Sequence, residues 1–355
     1  MMWVPWQWGA LAAAFLILGG CARVASPAPE KESDDEPLPA VAIDPAAYAR
    51  SVEAVKKLGG RVEITDAKRG IPGGVSVDFL RVQIRDEDLS VLAGLTALRE
   101  LEIYDTPITG VGLKHLADLP LLRKLELTVG HDLTDAGFQE LSRLTQVRSL
   151  DLTFTAVSDA RLKLLADMKK LRKLRIDPGS REGGEARGEP VTDEGLKAVM
   201  RLTDLRVLAL KWVPVNDARV KDLAGLPELR ELDLSSTEVT DAVFKTLMDF
   251  RKLRKLNLVG KVKVTGTGLG QLAKLPELRS LEISVTAAGL KELPRLTQLE
   301  ELRVSSRNLT NDAVRSLAAL KGLRTLVIKH AVVYAILDGV QDLQRELPGC
   351  TIKVD

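Results

Sequence analysis

Cysteine and histidine are scarce in this chain, which has two cysteines and three histidines among 355 residues. Two cysteines, Cys21 and Cys350, exclude the disulfide framework that holds many small secreted domains together. The histidines are scattered along the sequence, and no zinc-binding spacing of cysteine and histidine occurs. We therefore expect neither a bound metal nor a cofactor.

The chain also lacks an excess of charge of either sign. Its 51 basic and 49 acidic residues give a formal charge of +2, which provides no strong field to attract nucleic acid. Aromatic residues make up only 4% of the sequence, whereas hydrophobic residues make up 45%. This composition fits a globular protein with an aliphatic core, and nucleic acid is not an expected partner.

Leucine, in contrast, is abundant and recurs at a regular interval. Two apolar residues separated by one residue occur eleven times between residues 77 and 328. The pairs are Val77/Phe79, Leu101/Ile103, Leu125/Leu127, Leu150/Leu152, Leu174/Ile176, Leu208/Leu210, Leu232/Leu234, Leu256/Leu258, Leu281/Ile283, Leu302/Val304 and Leu326/Ile328. Successive pairs are about 24 residues apart, except that the interval from Leu174 to Leu208 is longer and that from Leu281 to Leu302 is shorter. The period predicts a solenoid, because no unit can bury its apolar face without stacking on its neighbours.

Each repeat combines a strand pattern with a helix pattern. In residues 98–119, apolar and polar residues first alternate, which predicts a strand with one buried face. Leu113, Leu116 and Leu119 then follow at helical spacing. Between the two patterns, several repeats carry a small polar residue followed by aspartate, which favours a helix N-terminus. These pairs are Thr134-Asp135, Ser158-Asp159, Thr192-Asp193, Asn216-Asp217 and Thr240-Asp241.

The repeats resemble leucine-rich repeats of the ribonuclease-inhibitor-like type, and more closely the bacterial GALA-type repeats with a Thr-Asp-Ala-Gly-Leu core. That core appears here as Thr134-Asp135-Ala136-Gly137-Phe138 and as Thr192-Asp193-Glu194-Gly195-Leu196. The resemblance implies an α/β leucine-rich-repeat solenoid, with a curved parallel β-sheet on the concave side and helices on the convex side. About eleven repeats of about 24 residues would build it.

The N-terminus resembles a bacterial lipoprotein signal. Residues 1–22 carry no charged side chain, and an apolar stretch ends in Leu18-Gly19-Gly20-Cys21, a sequence similar to a lipobox. The resemblance implies that residues 1–20 are a signal peptide and that Cys21 carries a lipid anchor. It places the protein at the cell envelope outside the cytoplasm, on the outer membrane or the periplasmic side. Since no lysine or arginine precedes the apolar stretch, an uncleaved membrane helix is the alternative.

Composition divides the remaining chain into four parts. Residues 21–45 are rich in proline and charge and are predicted to be a disordered tether. Residues 46–74, with a helix pattern over 46–58 and a strand pattern from Arg61 to Ile64, are predicted to cap the first repeat. The repeats occupy 75–337, and residues 338–355 are predicted to form the closing cap, with Cys350 buried in it.

The outward positions of the strands form columns, because equivalent residues of adjacent strands lie about 4.8 Å apart. The column between the two apolar residues begins with four acidic residues, which are Asp78, Glu102, Glu126 and Asp151. Like charges on adjacent strands destabilise a sheet, so we predict that this acidic run binds a basic partner or a cation. The alternative is a solvated surface whose charge is compensated by Lys124 and Arg175.

Departures from the repeat are further candidates for a binding site. The long interval between Leu174 and Leu208 adds a loop within 178–190, and such insertions often border a binding face. Phe154 and Trp212 follow the strands on either side of it, and Tyr104 lies on the concave side. We predict a partner-binding rim made of these aromatic residues together with Arg181 and Arg187. The alternatives are an idle loop and aromatic residues that cap the core.

No familiar catalytic motif is present, since the sequence has neither a Gly-x-Ser-x-Gly nor a His-Glu-x-x-His pattern. We therefore predict a monomeric, non-enzymatic scaffold that is tethered to the cell envelope and binds a protein partner through its concave face and loop rim. The alternative is a structural envelope protein without a specific partner.

Overall fold

The structure, a computed structural model, describes residues 41–65, 74–128, 133–179, 191–260, 263–331 and 333–355. Cys21, Arg181 and Arg187 lie outside these ranges, as do the predicted signal peptide and most of the predicted tether. None of the helices in the ranges just given combines the length and the apolar character needed to cross a bilayer.

Thirteen strands in the described ranges form a single sheet, in which the order in space is the order in the chain. They are β1 (Arg61–Thr65), β2 (Gly74–Leu80), β3 (Leu98–Tyr104), β4 (Lys124–Thr128), β5 (Ser149–Thr153), β6 (Lys173–Asp177), β7 (Val207–Leu210), β8 (Glu231–Asp233), β9 (Lys255–Leu258), β10 (Ser280–Ser284), β11 (Glu301–Ser305), β12 (Thr325–Lys329) and β13 (Thr351–Val354). The β1–β2 pair is antiparallel, and the later pairs are parallel.

A helical segment follows most of the parallel strands and leads back to the start of the next one. The α-helices are α1 (Pro45–Lys57), α2 (Asp135–Ser142), α3 (Asp159–Leu165), α4 (Asp193–Val199), α5 (Asp217–Leu223), α6 (Val243–Leu247), α7 (Ala287–Leu290), α8 (Asn311–Ser316) and α9 (Val333–Glu346). The 3₁₀ helices are Asp86–Gly94, Val111–Leu116, Leu269–Lys274, Leu293–Arg295 and Leu317–Ala319. The fold is therefore the predicted α/β leucine-rich-repeat solenoid.

The eleven apolar pairs form the ladder that holds the repeats together. Leu101 is in register with Leu125, and Leu125 with Leu150, so that equivalent leucines stack from strand to strand. All of the paired residues are 0% or 1% exposed. Leu234 lies just after the end of β8, and the other members of the pairs lie within β2 to β12. Burial of one aliphatic side chain contributes about 1.5–3 kcal/mol, so this ladder dominates the stability of the solenoid.

Polar caps begin the helices at most of the predicted positions. The side chains of Thr134, Ser158, Thr192 and Asn216 each accept a hydrogen bond from a backbone N–H in the first turn of the helix that follows. The prediction is less accurate at Thr240, because α6 starts later, with Ala242 at its N-cap. Thr240 Oγ1 nevertheless accepts a hydrogen bond from the Ala242 N–H at 3.2 Å.

The helix predicted from Leu113, Leu116 and Leu119 is a 3₁₀ helix over Val111–Leu116. A 3₁₀ helix is narrower than an α-helix, and this one lies directly against the preceding repeat. A Cβ atom on Gly112 would stand only 2.1 Å from the backbone oxygen of Asp86. The narrow helix and the glycine together allow this close approach.

Aspartates also link one repeat to the next, a role that we did not predict. Asp86 Oδ2 accepts hydrogen bonds from the Thr109 N–H and hydroxyl at 2.9 and 2.8 Å, and Asp86 Oδ1 accepts from the N–H groups of Gly110 and Gly112 at 2.9 and 2.8 Å. Burial alone would raise the pKa of Asp86, but these hydrogen bonds outweigh it and hold the pKa below its ordinary value.

The same inter-repeat contact recurs along the solenoid. Asp159 accepts hydrogen bonds from the backbone N–H and the hydroxyl of Thr192, and Asp217 and Asp241 do so from Thr240 and Thr265. Each carboxylate therefore fixes the loop that starts the next helix. We call these four pairs the aspartate ladder.

The C-terminal end of the solenoid contains the predicted buried thiol. Cys350 precedes β13, is only 4% exposed, and forms no disulfide within the described ranges. Burial raises the pKa of its thiol, which keeps it protonated and unreactive. The prediction of a structural cysteine is confirmed.

Candidate functional site

Alternate side chains of each parallel strand point away from the helices and form the concave face. On β3, Leu101 and Ile103 are buried, whereas Glu100, Glu102 and Tyr104 are half-buried on the opposite side. We call the columns that run through Glu100, Glu102 and Tyr104 the first, middle and third columns. The middle column is Asp78, Glu102, Glu126, Asp151, Arg175, Ala209, Asp233, Asn257, Glu282, Arg303 and Val327.

The structure brings the four residues of the acidic run together in direct register on β2 to β5. Lys124, in the first column of β4, lies among them. Its Nζ is 2.9 Å from a carboxylate oxygen of both Glu102 and Glu126, and 3.5 Å from Glu100. Burial would lower the pKa of Lys124, but these carboxylates more than compensate and raise it. One ammonium group therefore holds three carboxylates in place.

Asp151 differs from the other members of the acidic run. It is only 8% exposed, and its Oδ1 accepts hydrogen bonds from the N–H and the hydroxyl of Thr153 at 3.1 and 2.6 Å. Its Oδ2 lies 3.6 Å from Nη1 of Arg175. Asp151 thus shapes the end of its own strand, so Glu102 and Glu126 are the members of the run to be tested.

Tyr104 lies in the third column, in register with Leu80 on β2. The guanidinium of Arg81 stands over its ring, 5.9 Å from the ring centroid. Leu80 is 40% exposed, so the two side chains form a small apolar surface at the start of the solenoid. This surface borders the acidic run but is separate from Phe154 and Trp212.

Phe154 and Trp212 lie on a rim just beyond the carboxyl ends of β5 and β7, and both have left-handed backbones with φ of 59°. The same conformation occurs at the equivalent position of other repeats, where the residue is Arg81, Asp105, Ser236 or His330. It directs the N–H toward the next repeat, as shown by the hydrogen bond of 2.6 Å from the Phe154 N–H to the Asp177 carbonyl. Bulky residues rarely adopt this conformation, but its recurrence shows that it belongs to the repeat and does not by itself mark a binding site.

The ring of Phe154 does not cap the core. The side chain is 46% exposed, and its ring lies against Gly179, where an added Cβ would stand 2.9 Å from Cδ1 of the ring. The left-handed turn at Gly179, with φ of 72°, is held by a hydrogen bond of 2.9 Å from its N–H to Oδ1 of Asp177. Phe154 is therefore an exposed aromatic side chain on a well-defined rim.

The strain at Phe154 can be measured by comparing two substitutions that both remove the ring. We expect Phe154→Gly to be more stable than Phe154→Ala by about 1 kcal/mol, because only glycine adopts φ near 59° without a steric penalty. Urea denaturation of both variants measures the difference. Thr153 is extended in β5, so Thr153→Ala should be more stable than Thr153→Gly. If the glycine variant were the more stable one at both positions, the interpretation would be contradicted.

A groove of about 290 Å³ lies in the middle of the concave face. Its floor includes Val207 and Ala209 on β7, and its walls include Arg175 and Asp177 on β6 and Asp233 on β8. The small side chain of Ala209, between longer neighbours in the middle column, leaves this space. The groove was not predicted, although the alanine is a departure from the repeat that could have indicated it.

Metal ligands are not grouped on this surface. Within the part of the chain that the structure describes, no group of three or more histidine, cysteine, aspartate or glutamate residues is placed to hold a metal ion. The available chemistry is that of charged and hydrogen-bonding side chains on a rigid sheet, with an aromatic rim beside them.

The match to a family model agrees with this geometry. Residues 185–349 match the model described as a leucine-rich repeat region. The chain contains a leucine-rich repeat region. A comparison with curated proteins found no match.

Several solved structures are similar to this chain at low sequence identity. An internalin (InlF) from Listeria monocytogenes is 22% identical, with 75% of this chain and 69% of that chain covered and a TM-score of 0.48. Internalin C2 from the same organism is 22% identical, with 68% of this chain and 93% of that chain covered and a TM-score of 0.46. The plant peptide hormone receptor RGFR1, solved in complex with RGF2, is 14% identical, with 82% of this chain and 52% of that chain covered and a TM-score of 0.44.

Proposed function

We propose that this chain is a non-enzymatic scaffold that binds a protein partner through the concave face of its repeats. The observation that carries the proposal is the charge of the first four parallel strands. On the concave side of β2 to β5, five carboxylates accompany one ammonium group, a formal charge of −4. These residues are Asp78, Glu100, Glu102, Glu126, Asp151 and Lys124.

This negative surface favours a basic partner. Complementary potentials accelerate association and exclude partners of the wrong charge, and the sheet holds the carboxylates at fixed spacing. The side chains of Glu102 and Glu126 keep 19% and 24% of their surface exposed beside Lys124, so a basic side chain can reach them. The exposed ring of Phe154 supplies an apolar contact at the rim, of the kind that often anchors protein interfaces.

We also propose that the scaffold is tethered to the cell envelope by a lipid on Cys21. The support for the tether is the Leu18-Gly19-Gly20-Cys21 sequence after an uncharged apolar stretch. A tether at one end would leave the concave face of a monomer accessible to a partner outside the cytoplasm.

The double variant Glu102→Lys/Glu126→Lys should lose the partner completely, because it changes the formal charge of the surface from −4 to 0 and repels basic side chains. The measurement is crosslinking in cells followed by pull-down of the tagged full-length protein and mass spectrometry. In the same experiment, the Cys21→Ser variant should no longer be found in the membrane fraction. This result tests the tether separately from partner binding.

Two controls make this result interpretable. Glu140→Lys/Glu194→Lys makes the same charge change on helices α2 and α4 and should keep the partner. Glu102→Gln/Glu126→Gln removes the charges without adding repulsion beside Lys124, and its thermal midpoint reports whether the fold is intact. Identical partner profiles for all variants, or self-association alone, would favour a structural envelope protein instead.

A further inference from the structure

The groove over Val207 and Ala209 lies at a boundary in the charge of the concave face. The acidic run ends on β5, and β6 then carries two cations on the same face, Lys173 and Arg175. Arg175 lines the groove, and Lys173 is in register with Val207 on its floor. The charge therefore changes sign between β5 and the first two columns of β6, whereas Asp177 in the third column and Glu231 and Asp233 on β8 are acidic.

Like Lys255 on β9, these two cations lack the close hydrogen-bonded partners that hold several other cations of the concave face in the described ranges. Lys124 is held by three glutamates, Lys211 lies 2.9 Å from Asp177, and Arg303 donates a hydrogen bond of 2.9 Å to Glu301. In contrast, Lys173 makes neither an ion pair nor a side-chain hydrogen bond with any residue that the structure describes. Arg175 is 3.6 Å from Asp151 and donates no hydrogen bond within the same ranges.

The position of Lys173 makes its charge less favourable than that of a lysine in water. The side chain is half-buried, and burial together with the adjacent guanidinium of Arg175 lowers its pKa. Asp151, Glu126 and Glu231 attract it from beyond ion-pair distance. A carboxylate bound between Lys173 and Arg175 would receive charge-assisted hydrogen bonds, which are about twice as strong as neutral ones.

Four acidic side chains line the groove, and three of them have protein partners in the part of the chain that the structure describes; Glu231 is the exception. Asp177 accepts from the Gly179 N–H and pairs with Lys211. Asp233 accepts from the Ser235 N–H at 2.8 Å and from Nδ2 of Asn257 at 3.1 Å. The groove therefore offers Arg175 and Lys255 as cations without a hydrogen-bonded acceptor in the described ranges, and its carboxylates, apart from Glu231, already pair with the protein.

We propose that this groove is a subsite for an acidic side chain of an extended protein segment bound along the concave face. The inference rests on the proposed function and adds the chemistry of one position in the partner. A segment that crosses the strands would place basic residues over β2 to β5 and an aspartate or glutamate over β6 and β7. An apolar residue next to the acidic one would meet Phe154 or Trp212 on the rim.

The test is isothermal titration calorimetry of the full-length protein with the blocked peptide acetyl-Gly-Phe-Glu-Glu-Gly-amide. We expect binding that weakens at least tenfold when both glutamates of the peptide are replaced with glutamine. The double variant Lys173→Gln/Arg175→Gln should weaken binding of the acidic peptide by a similar factor. Ala209→Leu fills the groove and leaves every charge in place, and this variant should not bind the acidic peptide.

Arg303→Gln is the matched control, because Arg303 is in the same column but is already hydrogen-bonded to Glu301. The affinity of this variant for the acidic peptide should stay within twofold of that of the parent protein. Equal binding of the glutamine peptide, or retained binding by Lys173→Gln/Arg175→Gln, would overturn the proposal. Inorganic phosphate that binds as tightly as the peptide would overturn the assignment to a protein segment. If the acidic peptide fails to bind but Glu102→Lys/Glu126→Lys still loses the cellular partner, the subsite is wrong and the scaffold function stands.

Discussion

Replacing Gly137 with alanine should destabilise the protein by about 3 kcal/mol, although alanine normally stabilises a helix relative to glycine. Gly137 is in the first turn of α2, where an added Cβ would stand 2.2 Å from the carbonyl oxygen of Thr109 and 2.9 Å from Cα of Gly110. Both atoms belong to the backbone of the preceding repeat. The Thr109 carbonyl also accepts hydrogen bonds from the N–H and hydroxyl of Thr134 at 3.0 and 3.2 Å, so it cannot move aside without breaking them.

Urea denaturation of Gly137→Ala measures this effect, and Gly225→Ala is its matched control. At Gly225 the nearest atoms to an added Cβ would be 3.4 and 3.5 Å away, which is ordinary van der Waals contact. We expect Gly225→Ala to change the free energy of unfolding by no more than about 0.5 kcal/mol. If both variants were equally stable, neighbouring repeats would be able to move apart at little cost, and close approach would not be the reason for glycine at residue 137.

The architecture could be predicted from the sequence because it depends on patterns within one repeat. Alternation around Leu101 and Ile103 identifies a strand with one buried face, and Thr134 before Asp135 identifies a helix start. These features depend on neighbours close in the chain. Their recurrence at a nearly constant period was enough to predict the register of the sheet.

The contacts between repeats were not predicted, because each joins residues far apart in the chain. Asp86 and Thr109 are separated by 23 residues, Asp217 and Thr240 by 23, and Asp241 and Thr265 by 24. Asp159 and Thr192 are separated by 33 residues, because the inserted loop lies between them. A search for aspartate and threonine about one repeat apart would have found the aspartate ladder.

The candidate site was only partly predictable for a related reason. The acidic run was visible because its members share one repeat position. Lys124 and Lys173, however, occupy equivalent positions before a leucine and look alike in the sequence. Their difference arises from neighbouring strands, because Glu102 and Glu126 flank Lys124 at 2.9 Å, whereas Val207 lies beside Lys173. Only the three-dimensional arrangement shows that Lys124 is paired with carboxylates and that Lys173 has no such pair in the described ranges.

Removing the first carboxylate of the aspartate ladder should cause the second large loss of stability. We expect Asp86→Ala to lower the free energy of unfolding by about 4 kcal/mol, because it leaves the N–H groups of Thr109, Gly110 and Gly112 without their acceptor in a buried site. Urea denaturation at pH 7 is the measurement. Asp135→Ala is the control, since the Asp135 side chain is 84% exposed and, among the described residues, forms an ion pair only with Arg161; such a surface pair contributes about 0.5 kcal/mol.

The effect of pH distinguishes a charged acceptor from simple packing. The pKa of Asp86 is lower in the folded protein than its ordinary value of 3.8, so its charge stabilises the fold above that value. This contribution is lost as the pH falls below 3.8 toward the folded-state pKa, because the unfolded chain then binds the proton more readily. The difference in stability between the parent protein and Asp86→Ala should therefore become smaller as the pH is lowered from about 5 to about 2. This range lies within about two pH units of an ordinary carboxyl pKa. A difference that stays constant over this range would mean that Asp86 acts through its shape, and that the ionised carboxylate does not hold the first repeats together.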